Sequence, residues 1–374
     1  MTKPELEPLT GIRALAAWWV VLFHIGGGIP QTSATMQRIF DTGYLGVDLF
    51  FVLSGFVIAY NYWDWFERFR PAQYGRFLWM RLARLYPVHL ATLLFALGLY
   101  AAARFQGVSL HTSSSWTAGQ FVQQLLLVQH WSLHPVLSWN YAAWSISCEW
   151  LAYLAFPLLV YGATRPGFGR GFRVWVPLAL ILMCGASQFT NWSASSVGML
   201  RIAADFPAGV AAFLLWNTHG AGSRAGWLAP GAVASVLAIL IFSIRWPWVS
   251  AHWATLAFPV LIYAIARGRG ILSRALASPP VRFWGRASYS LYMTHGLVLM
   301  ALWKLAPPPA AGTPGLWLGL AEGFCALSLA TIATYFFVEE PARRWLRERF
   351  PGAHPSVPAR IVALPDPAAF VLSR

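Results

Sequence analysis

Eight ionisable side chains stand inside apolar stretches of this 374-residue sequence: Arg13, His24, Asp48, Glu149, Arg201, Asp205, His295 and Glu322. Such groups are expensive in lipid and normally face a protein interior, which makes them the first candidates for chemistry. Arg13 and His24 are eleven residues apart. Eleven helical steps of about 100° make three turns plus about 20°, so both point to one side of a helix, about 16 Å apart along its axis. One helix can thus place a cation near an incoming anionic donor and a base deeper in the same cavity. A snorkelling arginine and a hydrogen-bonded structural histidine fit the same spacing.

Asp48 begins the next apolar stretch at the depth of His24, where it can orient the imidazole or pair with Arg201. Glu149 lies in W-S-I-S-C-E-W, 144–150. Ser145, Ser147 and Glu149 alternate with bulky residues, a period that no single helical face follows. The spacing predicts an irregular or cavity-lining turn, with Glu149 assisting a base, binding a hydroxyl or closing a salt bridge. Arg81 and Arg84, in R-L-A-R-L-Y-P, share one helical face and suit a phosphate group, although topology-setting arginines share the pattern. Arg201 and Asp205 are four apart, the spacing of an intrahelical pair. His295 falls mid-membrane, where it can meet the same cavity or pack as a core residue. Glu322 stands alone and receives no role.

The elements that must hold these groups are membrane spans. Of the residues, 57% are hydrophobic and only 11% charged, against about 25% charged in an ordinary soluble domain. The 21 tryptophans suit bilayer interfaces. Stretches of about 20 apolar residues predict an all-α polytopic protein of about ten transmembrane helices. They lie near 10–28, 43–62, 85–104, 142–162, 174–190, 198–217, 227–244, 248–266, 287–305 and 316–338. The segment 118–131 is too short to span and is expected to be interfacial or re-entrant. With both termini cytoplasmic, twenty-one of the 27 basic residues fall on inner segments, as the positive-inside rule requires. That rule also explains the net charge of +14 without a nucleic-acid partner.

The first helix is expected to be retained, since Glu5 and Glu7 precede it and no small-residue cleavage site follows. Residues 1–350 read as one membrane-embedded domain and 351–374 as a poorly ordered Pro- and Ala-rich cytoplasmic tail. The outer loop 105–141 holds His111, His130, His134, Trp116, Trp131 and Trp139, aromatic groups suited to stacking on sugars or anchoring at the interface. Cys148, Cys184 and Cys325 fall in apolar stretches without metal-ligand spacing, so core packing is expected and no metal. No G-x-S-x-G elbow, Walker loop, H-E-x-x-H or dinucleotide fingerprint occurs.

Six blocks, in order, carry a resemblance. They are L-T-G-I-R-A-L-A-A followed by V-V-L-F-H; G-V-D-L-F-F-V-L-S-G-F, 46–56; R-L-A-R-L-Y-P, 81–87; W-S-I-S-C-E-W-L-A-Y-L-A-F-P, 144–157; S-Y-S-L-Y-M-T-H, 288–295; and V-E-E-P-A-R-R, 338–344. From about residue 8 to 347 the chain resembles the acyltransferase 3 family of membrane sugar O-acyltransferases, with Cys148 where many relatives carry Val. The resemblance implies ten spans around a cytoplasm-accessible acyl-CoA site, with His24 and Arg13 essential and Arg81 and Arg84 on the donor. It implies an acyl group, acetyl by default, passed to a glycan or glycolipid hydroxyl in a bacterial inner membrane. Some relatives carry a fused extracytoplasmic hydrolase-like domain. This chain is expected to act alone or with a separate extracytoplasmic partner. A secondary transporter or glycan exporter component with an ion relay is the competing expectation. No repeat relates the two halves, which counts against it.

Overall fold

A computed structural model of the protein describes residues 4–107, 116–132, 135–189, 197–218, 228–268 and 270–349. His111, His134 and the tail 351–374 lie outside the described residues. Among the described residues the regular structure is all helical, with no strand. In order come α1 (Glu7–Gly28), α2 (Ala34–Asp41), α3 (Leu45–Phe66), α4 (Pro71–Phe105), α5 (Ala118–Leu125), α6 (Trp144–Thr164) and α7 (Pro166–Ala186). Then follow α8 (Gly198–Thr218), α9 (Leu228–Arg245), α10 (Phe258–Ala266), α11 (Ile271–Leu276), α12 (Pro279–Leu305), α13 (Gly315–Thr334) and α14 (Glu340–Glu348).

Among the described residues, seven helical stretches are long and apolar enough to cross a membrane, and Val174–Ala186 and Ala251–Ala266 are shorter apolar helices. The α12 helix is 27 residues long but less apolar. It carries Arg282, Arg286 and Lys304 towards its ends and Ser288, Ser290, Thr294 and His295 through its middle. Within the described residues, nine of the ten stretches expected from the sequence fall mainly on one helix each, whereas 248–266 divides into a 3-10 stretch, Ala251–Ala257, and the nine-residue α10. The third is much longer than expected, because Pro71 can start a helix, its missing N–H being an orphan there anyway. The 118–131 segment forms only the eight-residue α5, opened by a Thr117–Gln120 capping box.

Two close helix contacts set the frame. The α3 helix packs on α8, and α1 on α12. A methyl group at Gly55 would fall on the carbonyl oxygen of Phe206, and one at Gly209 on that of Val52. On the other pair, a methyl group at Gly285 would fall on the carbonyl of Thr10. Small residues let helix backbones approach this closely where lipid supplies no hydrophobic drive. Gly55 of the S-G-F run therefore packs against α8, while Ser54 beside it faces a cavity. Cys148 and Cys184 are buried, but Cys325 is exposed on α13, so it does not pack in the core as expected.

Candidate active site

A cavity of about 120 Å³ opens between α1, α3, α4, α6 and α12. Arg13, Arg81, Arg84, Ser145 and Glu149 all line it, with Ser54, Tyr153, Tyr289 and Tyr292. Its cations differ in how they are held. Arg84 forms an ion pair with Glu339, whose other oxygen accepts from Ser290 Oγ at 2.6 Å. Arg81 donates to the Tyr62 hydroxyl at 2.7 Å and lies over that ring. Among the described residues Arg13 has no hydrogen-bond or ion-pair partner, which leaves its N–H donors available to a ligand in the cavity. Among the described residues, neither Arg13 nor Arg81 has a carboxylate within ion-pair distance, a chemistry that suits an anion.

Glu149 accepts from Ser54 Oγ at 2.5 Å and from the Tyr153 hydroxyl. The segment holding it is regular α-helix, which corrects the expected irregular turn. The alternation divides between two sides of α6. Ser145 and Glu149, one turn apart, face the cavity. Ser147 turns away, donating to the Leu127 carbonyl at 2.8 Å and accepting from the His130 N–H at 3.2 Å. That serine serves the loop before α6, and only its neighbours serve the cavity.

His24 and His295 do not line this cavity. They meet beyond Tyr292, with His295 Nε2 3.2 Å from His24 Nδ1. The Tyr292 hydroxyl, in the cavity wall, is 2.6 Å from Ser145 Oγ, and the Tyr292 ring lies 5.7 Å from that of His295. His24 is half-buried. Neither carboxylate expected to orient His24 does so. Glu149 is held as described, and Asp48 is held by Arg201.

The Asp48–Arg201 pair is fully buried and separate from the cavity. Arg201 Nε donates to Asp48 Oδ1 at 2.8 Å, and its terminal nitrogen to Oδ2 at 2.7 Å and to the Tyr44 carbonyl at 3.1 Å. Trp144 and Tyr44 flank the guanidinium at 5.3 and 5.5 Å. Asp205 is buried in the same cluster but makes no hydrogen bond to Arg201, which corrects the intrahelical pairing expected from the spacing. Helical side chains lean towards the N-terminus. Arg201 therefore leans away from Asp205, one turn later, and towards the start of α3.

Glu339 was not among the ionisable candidates. It sits on a five-residue π-turn, Tyr335–Glu339, that joins α13 to α14. Such turns frequently mark functional sites. Its sequence signals are an acidic pair directly before Pro341, after a long apolar run, and its place in the V-E-E-P-A-R-R block. Tyr153, Tyr289 and Tyr292 were also missed, because tyrosines are unremarkable in an aromatic-rich membrane protein. In the segment 105–141 Trp116 and Trp139 pack on each other at 5.1 Å. Trp131, 37% exposed, donates to the Ser147 carbonyl at 3.0 Å.

A family model described as an acyltransferase domain matches residues 7–339. Acyltransferase MdmB of Streptomyces mycarofaciens is similar at 28% identity, over 97% of this chain and 96% of the relative. Peptidoglycan O-acetyltransferase OatA of Listeria monocytogenes is similar at 22% identity, over 92% of this chain and 56% of the relative. The chain thus spans little more than half of that second protein. No solved structure matches the chain.

Proposed function

Since the chain belongs to the acyltransferase 3 family and is a membrane O-acyltransferase, we propose that it moves an acyl group, acetyl by default, from acyl-CoA to a sugar hydroxyl of a cell-surface or exported glycan or glycolipid. The observation that carries the donor is the cavity itself, with Arg13 unpartnered in its wall. In this reading acyl-CoA enters from the cytoplasmic side of a bacterial inner membrane, where the excess of basic residues places the starts of α1, α4 and α12. Arg81 and Arg84 meet its phosphates, and the pantetheine arm runs inwards past Glu149.

Arg13 then holds the donor and does not polarise the reacting carbonyl. It lies about 16 Å from His24 along α1, and helical side chains lean further towards the N-terminus. His24 is the base. The thioester approaches past Tyr292 and Ser145, and the sugar hydroxyl reaches the accessible surface of His24 that does not border the cavity. His24 takes the hydroxyl proton, the oxygen attacks the thioester carbon, the C–S bond breaks, and the leaving thiolate takes a proton. No metal enters this scheme. A separate extracytoplasmic partner can receive or relay the product.

The test is turnover of radiolabelled acetyl-CoA in membranes carrying the wild type, His24→Ala or Arg81→Ala, with and without host glycans. Glycan-dependent CoA release that drops about 100- to 10,000-fold in His24→Ala supports the reading. Release that survives in His24→Ala removes this histidine from the chemistry.

A further inference from the structure

Three distances around the two histidines determine which nitrogens carry protons. His295 Nδ1 is 2.6 Å from the Tyr292 carbonyl oxygen. His24 Nδ1 is 3.0 Å from the Val20 carbonyl oxygen and 3.2 Å from His295 Nε2. A carbonyl oxygen only accepts, so a bare nitrogen against it sets lone pair against lone pair. Neutral His295 therefore carries its proton on Nδ1 and leaves Nε2 bare. His24 Nδ1 faces two acceptors, Val20 O and His295 Nε2, and must be the donor to both. The opposite assignment puts bare nitrogens against both carbonyls at once. Only one pair of neutral tautomers satisfies all three contacts, and it leaves His24 Nε2 as the one free basic nitrogen.

We propose that His295 is a positioning residue that fixes the tautomer and ring orientation of His24 and accepts a hydrogen bond from it as His24 becomes charged. The proposal rests on His24 being the base. Neutral His295 then does the work that a carboxylate does in many histidine sites. When His24 Nε2 takes the hydroxyl proton, positive charge spreads over the imidazolium, and Nδ1–H strengthens its bond to the lone pair of His295 Nε2. When the C–S bond breaks, the proton on Nε2 passes to the thiolate sulfur and the neutral pair is restored. The proton never leaves His24 towards His295, whose Nδ1–H stays on the Tyr292 carbonyl. The other rings around the pair, Phe23 at 4.9 Å and Tyr141 at 5.2 Å from His24 and Tyr292 at 5.7 Å from His295, carry no charge to substitute for it.

Two replacements separate positioning from packing. In His295→Gln the amide oxygen can reach the place of Nε2 and accept from His24. In His295→Asn the shorter amide can still bond the Tyr292 carbonyl but cannot reach His24. With both proteins monodisperse in detergent, kcat of His295→Asn is expected to fall about 10- to 100-fold below that of His295→Gln, the worth of one hydrogen bond to a charged group, with KM for acetyl-CoA unchanged. Equal kcat values in the two variants, high or low, overturn the proposal. Full activity in His24→Ala overturns instead the reading it rests on.

A measurement on the wild type needs no variant to fold. Methylation with methyl p-nitrobenzenesulfonate, followed by hydrolysis of the isolated α1 peptide, should give only the Nε2-methyl isomer at His24. An Nδ1-methyl product, or no reaction where free histidine reacts, overturns it.

Discussion

Breaking the buried Asp48–Arg201 pair tests whether Asp48 works on the frame of the site or in its chemistry. The carboxylate and guanidinium are bidentate and fully buried, with a further bond to the Tyr44 carbonyl and two aromatic faces. Arg201→Met strips Asp48 of both its donors and leaves it beside the second carboxyl of Asp205. Removing one partner of a buried pair costs about 3–5 kcal/mol, because the other charge is left uncompensated. Replacing both, as in Asp48→Leu with Arg201→Met, removes the uncompensated charge and is expected to regain at least about 2 kcal/mol of that loss. The assay is unfolding of the purified protein in mixed micelles on titration with sodium dodecyl sulfate, read by tryptophan fluorescence, beside CoA release per folded molecule. A single variant that loses under about 1 kcal/mol refutes the structural assignment. So does an unchanged midpoint with turnover abolished, which would return Asp48 to the chemistry.

Arg81→Ala should raise KM for acetyl-CoA about 10- to 100-fold with little change in kcat, since one charge-assisted hydrogen bond to a phosphate is lost. Dephospho-CoA thioesters, titrated in the same assay, show whether that phosphate is the 3′ group. Gly209→Ala should destabilise the protein by about 1–3 kcal/mol, because α3 and α8 must separate to admit the methyl group; the micelle titration measures it. Glu339→Gln leaves Arg84 without its carboxylate and should cost about 3 kcal/mol or more in that titration. A silent Glu339→Gln would show that Arg84 finds its counter-charge elsewhere.

Hydrophobic patterning needs no tertiary information, and the apolar stretches fall mainly on helices among the described residues. The pairing of Arg13 with the cavity was legible for the same reason: a guanidinium inside an apolar run has nowhere to go except a polar interior. Spacing also placed Arg81 and Arg84 on one face, and both line the cavity. Spacing misled where long-range partners outbid local ones. Arg201 passed over Asp205 for Asp48, which is distant in sequence but lies where the side chain leans. The alternating serines of α6 looked irregular because alternation alone cannot show that two faces of one helix have different clients.

Within this family the sequence by itself determined the membrane-embedded, all-helical class and the presence of buried charge, because burying charge in an apolar run is a local cost written in residue types. Only the tertiary structure decided which charges meet. It set Glu339 against Arg84 across the bundle, Asp48 against Arg201, and His295 against His24. Each of those choices depends on the rotation and depth of one helix against another, and close glycine contacts such as Gly285 on Thr10 set that depth through packing between segments far apart in the chain.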